Sequence, residues 1–153
     1  MSHTIQMSPI GHVETGYARP ALTPPQATEN FAEPGRVVLD ARFADGLDGL
    51  AESRYAWLLT WLHAQDDADT APLRVVPRGL EGTGETRGVY ATRTPNRHNR
   101  IGLSLVRVES VRDNVVEFRG VDLVDGTPVL DIKPWSRGAD IPPAERSLSR
   151  TRA

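Results

Sequence analysis

Short apolar runs recur along the chain and are broken by glycine or proline at intervals of about ten residues. This spacing predicts many short strands joined by turns rather than long helices. Strands are expected at residues 9–14, at 36–43 with Val37, Leu39 and Ala41 on one face, and at 55–63. The last of these holds Trp57 and Trp61 in a continuous apolar stretch, the pattern of a strand covered on both faces. A brief strand at 73–76 is followed by others at 88–93, 101–111, 115–118 and 129–133. Residues 45–52 read as a helical turn carrying Leu47 and Leu50 three apart, and Asp125-Gly126 as a turn between strands. The proline-bearing stretch 19–34, the acidic connection 65–72 and the glycine-marked segment 79–84 read as loops. The fold class that follows is mainly β: a small barrel of short, mostly antiparallel strands with few short helices. The barrel is expected over 1–141, with a frayed, polar, Arg-rich tail over 142–153.

The length of 153 residues suits one hydrophobic core, and 39% hydrophobic with 25% charged residues excludes wholesale disorder. A net charge of −2 argues against a chain that grips nucleic acid by global charge, which leaves a local basic face as the electrostatic route. With no cysteine, disulfides, thiolate nucleophiles and Cys-ligated zinc all drop out. No apolar run approaches the roughly 18 residues that cross a bilayer, and the first ten residues lack a signal-peptide core. A soluble, cytoplasmic protein is expected.

Several familiar chemistries find no support. His3, His12, His63 and His98 show no ligand spacing, so no metal is expected. Gly82-Thr83-Gly84 is followed by a strand pattern rather than the helix a dinucleotide site needs. Gly102-Leu103-Ser104-Leu105 lacks the second glycine of a nucleophile elbow.

Two stretches are unusual. Residues 87–107 hold five Arg and no acid. Arg93 falls at an expected strand end, and Arg97 and Arg100 lie in a loop of Thr, Pro, Asn and His. Such a stretch is either an exposed turn with a basic face or a recognition site for a carboxylate or phosphate. Seventeen of the 18 basic residues are Arg, which reflects either codon bias or a need for guanidinium chemistry. The second stretch, 120–134, carries Asp122, Asp125 and Asp131 near Lys133, the single lysine. Asp125 belongs to the turn; Asp122 and Asp131 are expected in apolar surroundings, where a carboxylate needs a partner or a ligand.

In these two stretches Gly88-Val-Tyr-Ala-Thr-Arg-Thr-Pro-Asn-Arg, Ile101-Gly-Leu-Ser-Leu-Val and Asp122-Leu-Val-Asp-Gly-Thr-Pro-Val-Leu-Asp-Ile-Lys-Pro resemble the TsaA-like, or TrmO, family. Ile10-Gly-His-Val, Pro24-Pro-Gln26 and residues 57–63 fit in the same order, so the resemblance covers about 9–135. It implies a small β-barrel methyltransferase that uses S-adenosylmethionine, works as a homodimer, and methylates N6 of threonylcarbamoyl-adenosine beside the tRNA anticodon. Carried onto matching positions, it implies cofactor contacts from Pro24, Pro25, Gln26, Ala27, His63, Arg93, Leu103, Gly120, Val121 and Asp122. It also puts Asp131 and Lys133 beside the site as catalytic candidates. His98, a titratable ring, joins them, and Tyr55, Arg97 and Arg100 are expected on the substrate side, from the stretches where this chain departs from the family.

Three departures surround the implied pocket. Arg97-His98-Asn99-Arg100 stands where the family commonly has Arg-Pro-Asn-Pro, Arg54-Tyr55 where it has Ser-His, and Trp135 where it has Tyr. Altered surroundings leave a second reading open, a methyltransferase of the same fold acting on a small carboxylated metabolite. A third is a cofactor-binding homologue without catalysis. Seven Arg against three acids over 87–119 favour tRNA; the near-neutral total favours a small anion. Trp57, Trp61 and Trp135 offer more aromatic area than one small barrel covers, as a homodimer interface would require. The proton released by the acceptor nitrogen goes to Asp131, His98 or water.

Overall fold

Inward and outward side chains alternate on each strand of a closed antiparallel barrel in the computed structural model, which describes residues 4–64 and 71–146. Its strands are β1 (Gly11–Glu14), β2 (Pro34–Leu39), β3 (Tyr55–Trp61), β6 (Ile101–Arg112), β7 (Val115–Arg119) and β8 (Pro128–Pro134). They close in the order β1-β2-β7-β6-β3-β8. A separate two-stranded ribbon pairs β4 (Arg74–Val75) with β5 (Arg87–Gly88). The register stacks apolar residues across strands: Val13 faces Val37, and Val37 faces Val116, all three buried. In the next layer Gly35 lies opposite Phe118, and a β-carbon on Gly35 would come within 2.6 Å of the Phe118 ring. Absence of that carbon lets the aromatic ring fill the barrel interior.

The mainly β expectation holds, and the differences lie at strand ends. The strand expected over 36–43 stops at Leu39, because its partner β7 begins only at Val115. Asn114 closes the end by accepting Leu39 N–H at its carbonyl and donating Nδ2 to Leu39 O. The chain then enters a 3-10 turn, Ala41–Leu47, so Ala41 is exposed rather than inward. Leu47 and Leu50 do reach the core, from this turn and the next one at Leu50–Glu52. The strand expected over 88–93 is reduced to Arg87–Gly88, since Val89 N–H makes a last bond to Leu73 O and a 3-10 turn, Val89–Ala91, follows. β3 is fully buried on one face only: Ala56, Leu58 and Thr60 are buried, Tyr55, Trp57 and Leu59 are partly covered, and Trp61 is 44% exposed.

After β8 the chain turns back over the outside of β3. Trp135 meets Tyr55 edge to face at 6.1 Å, and helix α1 (Arg137–Asp140) supplies Asp140 to accept the Trp57 indole N–H at 2.8 Å. Two of the three tryptophans thus have partners within the chain, which removes them from the argument for an interface between subunits. A second short helix, α2 (Pro143–Arg146), occupies the start of the expected tail. The rest of that tail, and most of the expected acidic loop, lie outside the described residues. Among described residues no helix is long and apolar enough to cross a membrane, and no group of three or more acidic or His side chains could hold a metal ion.

Candidate functional site

Unequal strand lengths leave part of β6 without a β7 partner. β6 has 12 residues, and β7 pairs with its second half, 107–112; the first half, 101–106, pairs with β3. Beside that first half packs the 3-10 turn Ala27–Glu29, and the chain leaving β7 at 120–123 sends Val121 and Leu123 into the core. Asn30 ties the two together by donating Nδ2 to Val121 O at 2.9 Å and to the Tyr17 hydroxyl at 3.0 Å.

Asp122 sits at this seam. Its Oδ2 accepts Ala27 N–H at 2.9 Å and its Oδ1 accepts the Ser104 hydroxyl at 2.7 Å. Burial pushes the carboxyl above its ordinary value, opposed by these two hydrogen bonds and by the nearby Arg93 guanidinium. Arg93 donates to Gln26 Oε1 at 2.8 Å, one residue before the Ala27 amide that binds Asp122. Gln26, Ala27, Arg93 and Asp122, four residues matched from the resemblance, therefore form one connected group. Each carboxylate oxygen keeps lone-pair capacity for a further donor, and the guanidinium keeps N–H groups beyond the one given to Gln26. A ligand with hydroxyl or ammonium donors and a carboxylate would find complementary groups on both sides of the seam.

The loop that carries Arg93 returns to the barrel at Arg100, whose carbonyl accepts Leu62 N–H at 2.9 Å just past β3. His63 follows directly and shares that end of the barrel; His63 and His98 are both exposed. Arg97 turns into its own loop, where its guanidinium meets backbone carbonyls. Arg100 has φ +50, a conformation closed to proline, and its N–H bonds Arg97 O at 3.2 Å. The common family proline is therefore incompatible with the backbone here. Arg100→Pro should cost about 2 kcal/mol, from a lost hydrogen bond and a forced φ, and lower the melting temperature by about 4–8 °C in a calorimetric scan. A melting temperature equal to wild type would show that the loop tolerates both backbones.

The remaining candidates spread over the outer face of the barrel. Leu103 projects outward beside Ser104 and is 49% exposed, next to Trp61 and to Ile101 at 41%. Leu103 lies opposite Leu59, and Leu59 opposite Asp131, so Asp131 is two strands away, about 10 Å across the sheet. Contrary to the apolar setting expected for it, Asp131 is half exposed and ion-paired to Lys133 Nζ at 2.9 Å, because both project from the outward face of β8. Tyr55 stands at the far end of β3 from Trp61, about 20 Å along the strand, between Phe31 and Trp135. Asp125 is the turn residue expected, accepting Thr15 N–H at 3.0 Å.

Ser104 and Asn30 were not singled out in the sequence. A signal for Ser104 existed: an inward polar position on a strand, available to the carboxylate that needed a partner. For Asn30 there was none, since its bonds to residues 17 and 121 depend on the closed barrel.

Comparison with known proteins places the chain in a family. Residues 12–141 match the family described as the tRNA-methyltransferase O N-terminal domain. A putative S-adenosylmethionine-dependent methyltransferase, RcsF, from Pseudomonas aeruginosa is 39% identical over 94% of this chain, which spans 59% of that protein. An S-adenosyl-L-methionine-binding protein of Archaeoglobus fulgidus is 37% identical, with 88% of this chain and 91% of that protein covered. A mouse (Mus musculus) tRNA (adenine(37)-N6)-methyltransferase is 36% identical over 88% of this chain and 31% of its own length. The crystal structure of TrmO from Pseudomonas aeruginosa superposes with a TM-score of 0.70 at 32% identity, covering 94% of this chain and 60% of that one. The chain thus spans about three fifths of the Pseudomonas relatives. By its barrel and these matches, the chain belongs to the tRNA-methyltransferase O N-terminal domain family.

Proposed function

We propose that this chain binds S-adenosylmethionine at the seam of the barrel and directs methyl transfer to N6 of threonylcarbamoyl-adenosine next to the tRNA anticodon. The observation that carries the reading is the connected group Arg93–Gln26–Ala27–Asp122–Ser104, which holds an exposed guanidinium near a part-buried carboxylate. The residues fit the ligand's functional groups: Arg93 suits its carboxylate, Asp122 its ammonium or ribose hydroxyls, and the exposed face of Leu103 its base. Pro24, Pro25 and His63 line the approach in this reading, whereas Gly120 and Val121 are buried. When bound, the cofactor supplies an electrophilic methyl group on a sulfonium.

The chain's own task is then positional. It must hold donor and acceptor about 3–3.5 Å apart and in line. His98 and Arg100 flank the side on which an acceptor would enter, and Tyr55 marks the far rim. Asp131 and His98 remain the candidates to receive the proton, and Lys133 holds the Asp131 carboxylate in place. A second subunit would cover Trp61 and Ile101, exposed apolar side chains paired across neighbouring strands. A cytoplasmic location accords with a tRNA substrate.

The experiment is mass spectrometry of tRNA nucleosides from a deletion strain, complemented by the gene for this chain. N6-methylated threonylcarbamoyl-adenosine should vanish on deletion and return on complementation. If it persists, the tRNA reading falls and the small carboxylated metabolite takes its place. Salt gives a second check: tRNA held by several phosphates should bind far more weakly at about 200 mM than at 50 mM salt, whereas a small acid on one Arg responds little.

A further inference from the structure

The backbone bonds of the loop between the ribbon and β6 are those of two turns, Thr92 N–H to Val89 O and Arg100 N–H to Arg97 O, with one rung, Val89 N–H to Leu73 O, at its start. Two side chains hold its middle: the Thr92 hydroxyl, which donates to Val89 O at 2.9 Å and accepts Thr94 N–H at 3.4 Å, and the Arg97 guanidinium, which makes more bonds. Arg97 donates Nε to Thr94 O at 2.9 Å, and one terminal nitrogen to Thr92 O at 2.7 Å and Val89 O at 3.0 Å. Two of these three carbonyls belong to the residues immediately before and after Arg93. The guanidinium therefore fastens the backbone on both sides of the residue that reaches Gln26 and influences Asp122.

We infer that Arg97 is a positioning residue for Arg93: a guanidinium clamp on the carbonyls of 89, 92 and 94 that sets where the Arg93 side chain enters the seam. Only a planar fork with several fixed donors spans three carbonyls at once; a lysine ammonium on a flexible stem does not reproduce it. The clamp substitutes for the ladder that β5 fails to extend past Gly88. It acts through Arg93 and has no contact with the ligand. This inference rests on the proposal that Arg93 contacts S-adenosylmethionine, and the test separates the two.

The measurement is calorimetric titration of S-adenosylmethionine into wild type, Arg93→Ala, Arg97→Ala, Arg97→Lys and the Arg93→Ala/Arg97→Ala double variant of the full chain. Each alanine variant should bind at least tenfold more weakly than wild type, Arg97→Lys should recover less than half of that loss on a logarithmic scale, and the double variant should fall within about twofold of Arg93→Ala. Amide hydrogen exchange of the ligand-free chain supplies a readout independent of binding: peptides spanning 88–100 should exchange faster in Arg97→Ala but not in Arg93→Ala. Losses that multiply in the double variant overturn the inference, since Arg97 would then act independently of Arg93. So does an Arg97→Ala variant with wild-type affinity or with unchanged exchange over 88–100. Normal binding by Arg93→Ala instead overturns the cofactor reading and takes the clamp's role with it.

Discussion

Gly120→Ala should lower stability by about 3 kcal/mol, the sum of a left-handed penalty of about 1–2 and an overpacking cost of about 1–3 kcal/mol. Gly120 has φ +99, which an L side chain rarely adopts, and an added β-carbon would stand 2.7 Å from Phe31 Cδ1 and 3.1 Å from Ala27 O. Neither neighbour yields cheaply. Phe31 packs against Tyr55, itself against Trp135, and Ala27 presents the amide that binds Asp122. The damage should therefore reach the seam as well as the melting temperature, which should drop by about 6–12 °C. Gly49→Ala is the control: φ is +78 there, with open space around the built β-carbon, so only the conformational part of the cost applies. Equal melting temperatures for the two variants would show that the contact with Phe31 carries no weight.

How far the chain's organisation was readable depends on the range of the forces involved. Strand cores such as 101–111 and 115–118 could be read because alternation is local and their apolar positions repeat every second residue. Strand ends could not, since Leu39 stops pairing where β7 begins, a partner 76 residues away in sequence. The same holds for Arg97. Its composition pointed to anion recognition, yet three backbone carbonyls of its own loop occupy the guanidinium, and carbonyl directions are invisible in a residue string. Asp122 could be read more nearly in full, because a carboxylate flanked by Val121 and Leu123 must find partners wherever the fold places it. Which partners, Ala27 N–H and Ser104, depended on β7 ending before β6 does.

Asp122→Asn should move stability and ligand affinity in opposite directions. The folded carboxyl titrates above its unfolded value of about 3.9, chiefly because burial penalises the charge. Between the two values the folded chain holds a proton that the unfolded chain has released. The stabilisation from the neutral form is complete below the unfolded value and is lost as pH rises through the folded one. At neutral pH the chain carries a buried carboxylate at a cost, which an amide avoids. Asparagine keeps the shape: its oxygen can accept Ala27 N–H while its NH2 donates to Ser104, whose hydroxyl rotates to accept. The stability of Asp122→Asn relative to wild type should consequently rise with pH in denaturant titrations from pH 3.5 to 7.5. Affinity for S-adenosylmethionine should fall by about 10–100-fold, the worth of a hydrogen bond to a charged group. Such opposition marks a group kept for binding at the expense of the fold. A variant less stable than wild type at pH 7.5, with affinity retained, would make Asp122 a structural tie between the 27–29 turn and β6 and remove it from the binding site.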